Sequence, residues 1–178
     1  MFVLEKIAVV NDKDEIVGYE EKMLVHEKGI LHRAFSVVIL NSNKEMLLQR
    51  RSLVKYHSPG EWTNACCSHQ RENESIIEAA KRRIFEELGI EKIELEESFV
   101  FQYKCHFSNG LWENEIDHVF IARYEDYIEE FNEEEVEDVK WIELEELKNW
   151  IKDRPEDFTY WFKVLMREVE QREITFPR

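Results

Sequence analysis

The sequence predicts an α+β fold or an α/β/α sandwich, in which helices pack against a sheet. Three observations support this prediction. Apolar, β-branched segments alternate with short polar turns, residues 74–88 carry apolar side chains at three- and four-residue steps, and Ser108-Asn109-Gly110 separates two long strand-like segments. The chain has no internal repeat and no linker-like segment, so we expect residues 1–178 to form one domain.

Turn residues and hydrophobic spacing predict each element in order. Polar turns at residues 11–14 and 108–110 predict two hairpins. Gly29 and Gly89 would end the first two helices, because glycine tolerates the left-handed conformation. Strands are expected at residues 3–10, 15–19, 30–40, 46–49, 93–107, 111–124 and 139–143. Helices are expected at residues 20–28, 74–88, 144–153 and 156–171, and loops at 50–60 and 62–69.

The composition limits the possible partners and the compartment. Hydrophobic residues make up 43% of the 178 residues, which is enough for a core without disulfide or metal staples. With 39 acidic and 24 basic residues, the net charge of -15 disfavours binding to nucleic acid or anionic membranes. The odd count of three cysteines argues against a disulfide framework, which favours a cytoplasmic protein. We expect no signal peptide, no membrane-spanning segment and a monomer.

Glutamates and histidines form a candidate metal site. Glu113 and Glu115 alternate on a predicted strand, so both face the same side and repel unless a cation or proton separates them. His69 would share a face with Cys67 if that segment were extended, while His26 and His32 bracket a turn. Three histidines and two glutamates would leave one octahedral position open on Mn²⁺, Mg²⁺ or Zn²⁺.

Each of these features also has a simpler interpretation. Glu113 and Glu115 can belong to an exposed acidic strand, and a single histidine is more often a polar surface residue than a ligand. The surface interpretation is the one that we assign to His57, His106 and His118.

Basic residues stand out in this acidic chain. Charge-assisted hydrogen bonds from them can hold a diphosphate, although an ordinary charged loop explains the loop members equally well. On the predicted helix, acidic and basic residues at four-residue steps predict an exposed, ion-paired face. The basic candidates are Lys22, Arg50, Arg51, Lys55 and Arg83. The ion-paired helix face comprises Glu74, Glu78, Arg82 and Glu86, and Arg83 and Glu87 form a further pair.

The helix at 74–88 resembles the Nudix box, which runs Gly, five residues, Glu, seven residues, then Arg-Glu-apolar-any-Glu-Glu-any-Gly-apolar. This register contains Glu74, Arg82, Glu86-Glu87 and Gly89-Ile90. Ser68 replaces the first glycine, and Arg83 replaces a glutamate that commonly binds metal in Nudix hydrolases. A diphosphohydrolase with Arg83 at this position would be handicapped.

Further motifs resemble one Nudix branch, the type 1 isopentenyl-diphosphate isomerases, from about Lys22 to Trp161. The most specific matches are the Thr-Asn-any-any-Cys-any-His segment at residues 63–69 and the Glu-any-Glu strand at Glu113-Asn114-Glu115. The family's other features are matched by His26 and His32, Arg50-Arg51, Pro59-Gly60-Glu61-Trp62, Tyr103 and Trp161. Gln70 and Asp117-His118 depart from the common pattern.

The resemblance implies a Nudix-type α/β/α sandwich with a mixed sheet, and an enzyme that interconverts isopentenyl and dimethylallyl diphosphate through a tertiary carbocation. It implies that Cys67 and Glu115 transfer protons, that Trp161 stabilises the cation and that Tyr103 hydrogen-bonds to Glu115. The implied metal ligands are His26, His32, His69, Glu113 and Glu115, with Glu87 for a diphosphate-bound Mg²⁺. The implied diphosphate ligands are Lys22, Arg51, Lys55 and Arg83.

Two other function classes remain open at this point. A Nudix hydrolase of a small diphosphate would release phosphate and leave Cys67 without a role. A non-catalytic metal- or diphosphate-binding protein would leave the substrate unchanged. Cys66 is expected to be a small packing residue that points away from the site.

Overall fold

A computed structural model of the protein describes residues 4–176. The strands among these residues are β1 (Lys6–Val10), β2 (Ile16–Glu21), β3 (His32–Leu40), β4 (Glu45–Arg51), β5 (Trp62–Asn64), β6 (Cys66–His69), β7 (Glu96–His106), β8 (Trp112–Arg123) and β9 (Val136–Glu143). The α-helices are α1 (Lys22–Lys28), α2 (Ile76–Leu88), α3 (Leu144–Asp153) and α4 (Tyr160–Gln171), and Pro155–Asp157 forms a 3₁₀ turn.

The strands form a mixed sheet centred on β3. This strand runs parallel to β8 and antiparallel to β1, β4 and β6, while β7 pairs with β8 and β9 pairs with β4. Strands β3 and β4 are in register only at Leu40 and Met46, next to their connecting turn. Beyond that point β5 pairs with β4 and β6 pairs with β3, so the two halves of the sheet separate.

Alternate residues of β3 face two different cores. Val38 and Leu40 pack on the side of α3 and α4, whereas Val37 and Ile39 pack on the side of α2. This alternation follows from the two-residue period of a strand. Each fully buried Val, Leu or Ile contributes roughly 1.5–3 kcal/mol through removal from water. Helices therefore cover both faces of a mixed sheet, which confirms the predicted α+β, α/β/α sandwich.

The caps of α2 explain where this helix begins and ends. The Ser75 side chain accepts from the backbone of Glu78, whose side chain accepts from the Ser75 backbone in return. Gly89 ends the helix with φ of 69°, a left-handed conformation that favours glycine. The three- and four-residue steps predict an apolar face formed by Ile77, Ala80, Ile84 and Leu88. This prediction is wrong at Ile77, which is 41% exposed, because the helix turns Ala79 toward the core instead.

Both predicted hairpins and the helix end at Gly29 are confirmed. Two other predictions are wrong. Residues 62–69 are not a loop but two short strands, because they pair with β4 and then with β3. The last helix begins at Tyr160 rather than 156, because the Thr159 side chain caps it by accepting from the backbone of Phe162. No helix of residues 4–176 is long and apolar enough to cross a membrane.

Candidate active site

Three adjacent strands present alternate residues on one face of the sheet. Along β3 this face carries His32, Ala34 and Ser36. Ala34 and Ser36 lie opposite His69 and Cys67 of β6, and His32 lies opposite Glu115 of β8. Strand pairing therefore collects residues that are far apart in the sequence. Since Ala34 has a short side chain, it leaves space between the polar groups on either side.

Five buried side chains converge at one end of this face. The residues are the predicted ligands His26, His32, His69, Glu113 and Glu115, and one ligand atom from each lies within 4.8 Å of the others. His26 comes from the last turn of α1, which Gly29 ends, and the other four come from β3, β6 and β8.

Backbone carbonyls orient two of these histidines. His26 Nδ1 lies 2.6 Å from the Lys22 carbonyl oxygen, and His32 Nδ1 lies 2.9 Å from that of Ile30. A ring nitrogen beside a carbonyl must carry a proton, so Nδ1–H donates in both rings. Nε2 is therefore the nitrogen that points toward the carboxylates, and it is the atom that can bind a metal once it carries no proton.

Unsatisfied atoms indicate that this cluster suits a cation. His26 Nε2, His69 Nδ1 and Glu113 Oε2 are buried and have no hydrogen-bond partner among residues 4–176. Burial lowers the pKa of His69 to about 4, whereas contacts with Glu113 and Glu115 overcome burial and raise the pKa of His32 to about 10. Buried carboxylates require compensating positive charge, and a divalent cation bound by nitrogen and oxygen atoms supplies it. The donor set thus fits a divalent metal.

Cys67 lies on the same face and is held by three polar groups. Its thiol donates to Asn64 Oδ1 at 3.0 Å, Trp161 Nε1 donates to its sulfur at 3.2 Å, and Ser36 Oγ lies 3.4 Å away. Burial and the nearby Asp117 raise the pKa of Cys67 to about 12, although these hydrogen bonds oppose the shift. The thiol is therefore protonated at neutral pH.

Glu115 faces the metal-site histidines with one oxygen and a tyrosine with the other. Its Oε1 lies 3.1 Å from His32 Nε2 and 3.0 Å from His69 Nε2. Its Oε2 accepts from the Tyr103 hydroxyl at 2.6 Å. Burial and the adjacent Glu115 carboxylate raise the pKa of Tyr103 well above its usual value, so this hydroxyl remains a donor. The predicted hydrogen bond between Tyr103 and Glu115 is confirmed.

Comparisons with known proteins identify the family. The NUDIX domain model matches residues 30–162. The chain is 41% identical over 165 residues to Isopentenyl-diphosphate Delta-isomerase 2 of Aromatoleum aromaticum, covering 93% of this chain and 86% of the relative. It is 40% identical over 172 residues to Isopentenyl-diphosphate Delta-isomerase of Aliivibrio fischeri, covering 93% and 94%. The chain belongs to the isopentenyl-diphosphate Delta-isomerase family of NUDIX proteins.

Solved structures agree on the fold. The crystal structure of DR0079 from Deinococcus radiodurans superposes with a TM-score of 0.68 at 21% identity, covering 84% of this chain and 90% of that one. A MutT protein from Methanosarcina mazei gives a TM-score of 0.63 at 19% identity, with 82% and 96% covered. At these identities the likeness supports the fold alone.

The isomerase-family site contains a histidine that sequence reasoning assigned to the surface. His57 is buried, and its Nε2 lies 3.1 Å from Glu113 Oε1. The surface assignment is therefore wrong, because loop 52–61 folds over the site. His106 is exposed, while the partly buried His118 contacts Asp14 and Glu97 away from the site.

Asp117 is a second residue that sequence reasoning missed. It is buried, and its Oδ2 accepts from Ser36 Oγ at 2.7 Å. Burial and the nearby Glu115 raise the pKa of its carboxyl group well above the usual value. Its position continues the alternation of Glu113 and Glu115 along β8, and this signal was present in the sequence.

Four of the five predicted basic residues line the same cavity, whereas Arg50 does not and donates from its Nε to the Gly60 carbonyl oxygen. The Arg51 guanidinium lies 5.1 Å from the centre of the Trp161 ring, and Lys22 lies 3.7 Å from Glu5. Lys55 pairs with Glu135, and Arg83 lies 3.4 Å from that residue. Within the described part of the chain, the Nε atoms of Arg51 and Arg83 are buried without a hydrogen-bond partner. These donors are available for an anionic ligand.

Cys66 connects the active-site segment to the Nudix-box helix α2. It packs in the core on the α2 side, as predicted, but its thiol also donates to Glu87 Oε2 at 2.8 Å. Arg83 Nη2 lies 3.6 Å from the other oxygen of Glu87. Packing is therefore not the only role of Cys66, because it holds a buried carboxylate that was a predicted metal ligand.

All of the predicted site residues except His26 and His32 line one narrow cavity of about 50 Å³. A larger groove of about 620 Å³ lies between α3 and α4 and contains none of them. Size alone therefore does not locate the site. The convergent polar groups and shifted pKa values do, because such groups cluster where chemistry takes place.

Proposed function

We propose that the protein interconverts isopentenyl diphosphate and dimethylallyl diphosphate in isoprenoid biosynthesis. The family membership supports this activity, since relatives with about 40% identity over nearly the whole chain carry the isomerase name. One observation carries the chemistry. A protonated thiol, Cys67, and a carboxylate, Glu115, lie on the strands that flank β3 and line one cavity.

Moving the double bond requires one proton to be added and another removed. A group on one side protonates the alkene, which forms a tertiary carbocation, and a group on the other side takes a proton from the neighbouring carbon. Cys67 can supply a proton because its pKa of about 12 keeps the thiol protonated. Glu115 can hold one while Tyr103 donates to its second oxygen. The reverse reaction uses the same pair in reverse order.

Trp161 is proposed to stabilise the carbocation. It is buried in the cavity wall, and its indole nitrogen donates to the Cys67 sulfur, so its ring lies beside the proton donor. A cation over the face of a desolvated tryptophan gains roughly 2 kcal/mol. The Arg51 guanidinium near this ring is consistent with such an interaction.

His26, His32, His69, Glu113 and Glu115 would hold Mn²⁺, Mg²⁺ or Zn²⁺, and Glu87 would bind a diphosphate-bound Mg²⁺. When bound, such a cation supplies positive charge that favours the ionised carboxylates. Lys22, Arg51, Lys55 and Arg83 would bind the diphosphate oxygens. A single domain over residues 1–178, a monomeric state and a cytoplasmic location without nucleic-acid or membrane partners remain predictions.

Hydrolysis of a small diphosphate is the alternative function, which the fold by itself permits. Arg83 argues against it. This residue occupies a Nudix-box position that commonly carries a metal-binding glutamate in hydrolases, and here it pairs with Glu86 at 2.7 Å. A hydrolase would also have no use for the buried thiol of Cys67.

One assay separates these functions. Purified protein is incubated with isopentenyl diphosphate, Mg²⁺ and Mn²⁺, and the products are identified by NMR and by phosphate release. We expect dimethylallyl diphosphate without free phosphate. Release of phosphate would indicate a hydrolase, and metal binding without any product would indicate a binding protein.

A further inference from the structure

His57 reaches the proposed metal centre from loop 52–61, which joins β4 to β5. Its side chain is 5% exposed, and its Nε2 lies 3.1 Å from Glu113 Oε1. The same oxygen lies 3.1 Å from His26 Nε2. One oxygen of Glu113 is therefore contacted by two imidazoles, while its Oε2 has no hydrogen-bond partner among the residues described.

The ring of His57 is held in its orientation from several sides. It stacks on Phe107, with ring centres 4.7 Å apart and planes within 5°, and it meets the Trp161 ring edge-on at 5.5 Å. Its backbone oxygen accepts from Arg51 Nη2 at 3.2 Å. Asn109 donates to the carbonyl of the preceding Tyr56 at 2.7 Å. The contact with Glu113 thus comes from a fixed ring.

His57 does not belong to the group of converging ligand atoms. That group comprises one atom from each of five residues, and His57 reaches it from the loop side through Glu113, with its ring centre 6.4 Å from that of His26. Groups that hold a metal-binding carboxylate from outside fix its orientation, and their loss typically weakens metal binding by about 10- to 100-fold.

We propose that His57 is a positioning residue for the metal centre. By holding Oε1 of Glu113, it fixes the rotation of this carboxylate and leaves Oε2 available for the cation. The inference rests on the metal centre of the proposed function. It also gives loop 52–61 a second attachment to the site, because Lys55, a proposed diphosphate ligand, lies two residues before His57.

The test measures binding of Mn²⁺ alone, without substrate, by the EPR signal of the free ion. His57→Phe keeps an aromatic ring against Phe107 but removes Nε2, and His57→Gln keeps a polar group. His106→Phe is the matched control, because His106 also stacks on an aromatic ring, that of Trp112 at 3.9 Å, but lies outside the cavity. Glu113→Gln defines how much Mn²⁺ affinity is lost when a proposed metal ligand is removed.

We expect Mn²⁺ to bind about 10- to 100-fold more weakly to His57→Phe, with a smaller loss in His57→Gln and none in His106→Phe. At saturating Mn²⁺, the KM for isopentenyl diphosphate should stay within about threefold of wild type, the margin expected when metal binding alone is affected. Circular dichroism establishes whether each variant folds. If His57→Phe does not fold, the Mn²⁺ affinity of His57→Gln provides the test.

Two results would overturn the proposal. Unchanged Mn²⁺ affinity with a raised KM would mean that His57 contacts substrate and does not position Glu113. Absence of Mn²⁺ binding in the wild-type protein would remove the metal centre and the role of His57 with it. Failure of the proposed isomerase activity gives a different pattern, in which Mn²⁺ binding still depends on His57 but no dimethylallyl diphosphate forms.

Discussion

Two adjacent cysteines, Cys66 and Cys67, point to opposite faces of the sheet. Cys67 faces the metal-binding residues and Trp161, whereas Cys66 faces helix α2 and donates to Glu87. Because side chains alternate along a strand, neighbouring residues of β6 reach two different environments. One short strand therefore serves both the proposed proton transfer, through Cys67, and the proposed diphosphate-bound Mg²⁺, through the contact of Cys66 with Glu87, which lines the same cavity as Cys67.

The largest expected effect separates the two thiols directly. Cys67→Ala removes a proposed proton-transfer group, so we expect kcat to fall by roughly 10²- to 10⁴-fold while the fold is kept. The rate of isopentenyl diphosphate turnover measures the fall in kcat, and circular dichroism establishes that the fold is kept. Cys105→Ala is the control, since Cys105 lies outside the cavity. Near wild-type turnover by Cys67→Ala would remove the thiol from the mechanism.

Metal removal probes the Cys67 face as a whole. Stripping the protein with a chelator should abolish turnover, because buried carboxylates lose their compensating charge. Adding Mn²⁺ at about 100 times its Kd should restore activity and raise stability by about 2.7 kcal/mol, which a thermal melt reports. His69→Asn should lose most of this stabilisation. A melt that does not respond to Mn²⁺ would contradict the metal centre.

Affinity for Mn²⁺ should increase with pH. The pKa of His32 is raised to about 10 without a cation, so this residue holds a proton at pH 7 that must leave when a metal binds. Binding therefore strengthens as pH rises toward that pKa. Titrations at pH 6.5 and 8.5 test the sign, and equal affinities would show that His32 does not lose a proton on binding.

A smaller effect is expected at the partner of Glu115. Tyr103→Phe removes the hydroxyl that donates to Glu115 Oε2 but keeps the ring. A hydrogen bond to a charged group contributes about 1.5–3 kcal/mol, so kcat should fall by roughly tenfold to a hundredfold. The rate should fall without a comparable change in Mn²⁺ affinity. A loss of Mn²⁺ binding instead would make Tyr103 a support of the metal centre.

The smallest effect is expected at Cys66, which points to the opposite face of β6 from Cys67. Cys66→Ala removes a weak donor to Glu87, and we expect less than about a tenfold increase in the Mg²⁺ concentration needed for half-maximal activity. Turnover at saturating Mg²⁺ should stay near that of the wild-type protein. A collapse of activity comparable to that of Cys67→Ala would contradict the division between the two faces.

The residue pattern within a single strand or helix predicted those parts of the site that one such element forms by itself. The alternation along β8 predicted that Glu113 and Glu115 share a face, and the glycine after the first helix predicted where α1 ends. The assembly of the site depends on pairing between β3, β6 and β8, and Glu115 lies 83 residues from His32. Spacing within a segment carries no information about such contacts, so only the family resemblance brought these residues together.

Other features escaped prediction for identifiable physical reasons. Strands β5 and β6 contain three and four residues, too few to establish a two-residue period, and pairing with β4 and β3 defines them. His57 lies on a loop without regular spacing, so nothing local indicates that it is buried. Asp117 is different, because it continues the alternation of Glu113 and Glu115. Extending the same two-residue pattern along the strand would have included it.

The central claim is that Cys67 and Glu115 move protons between solvent and substrate within one cavity. Incubation with isopentenyl diphosphate and Mn²⁺ in D₂O tests it most directly, because the thiol exchanges its proton with solvent before transfer. NMR should detect dimethylallyl diphosphate that carries deuterium in a methyl group, and Cys67→Ala should form almost none. Product without deuterium, or equal incorporation by Cys67→Ala, would contradict the account.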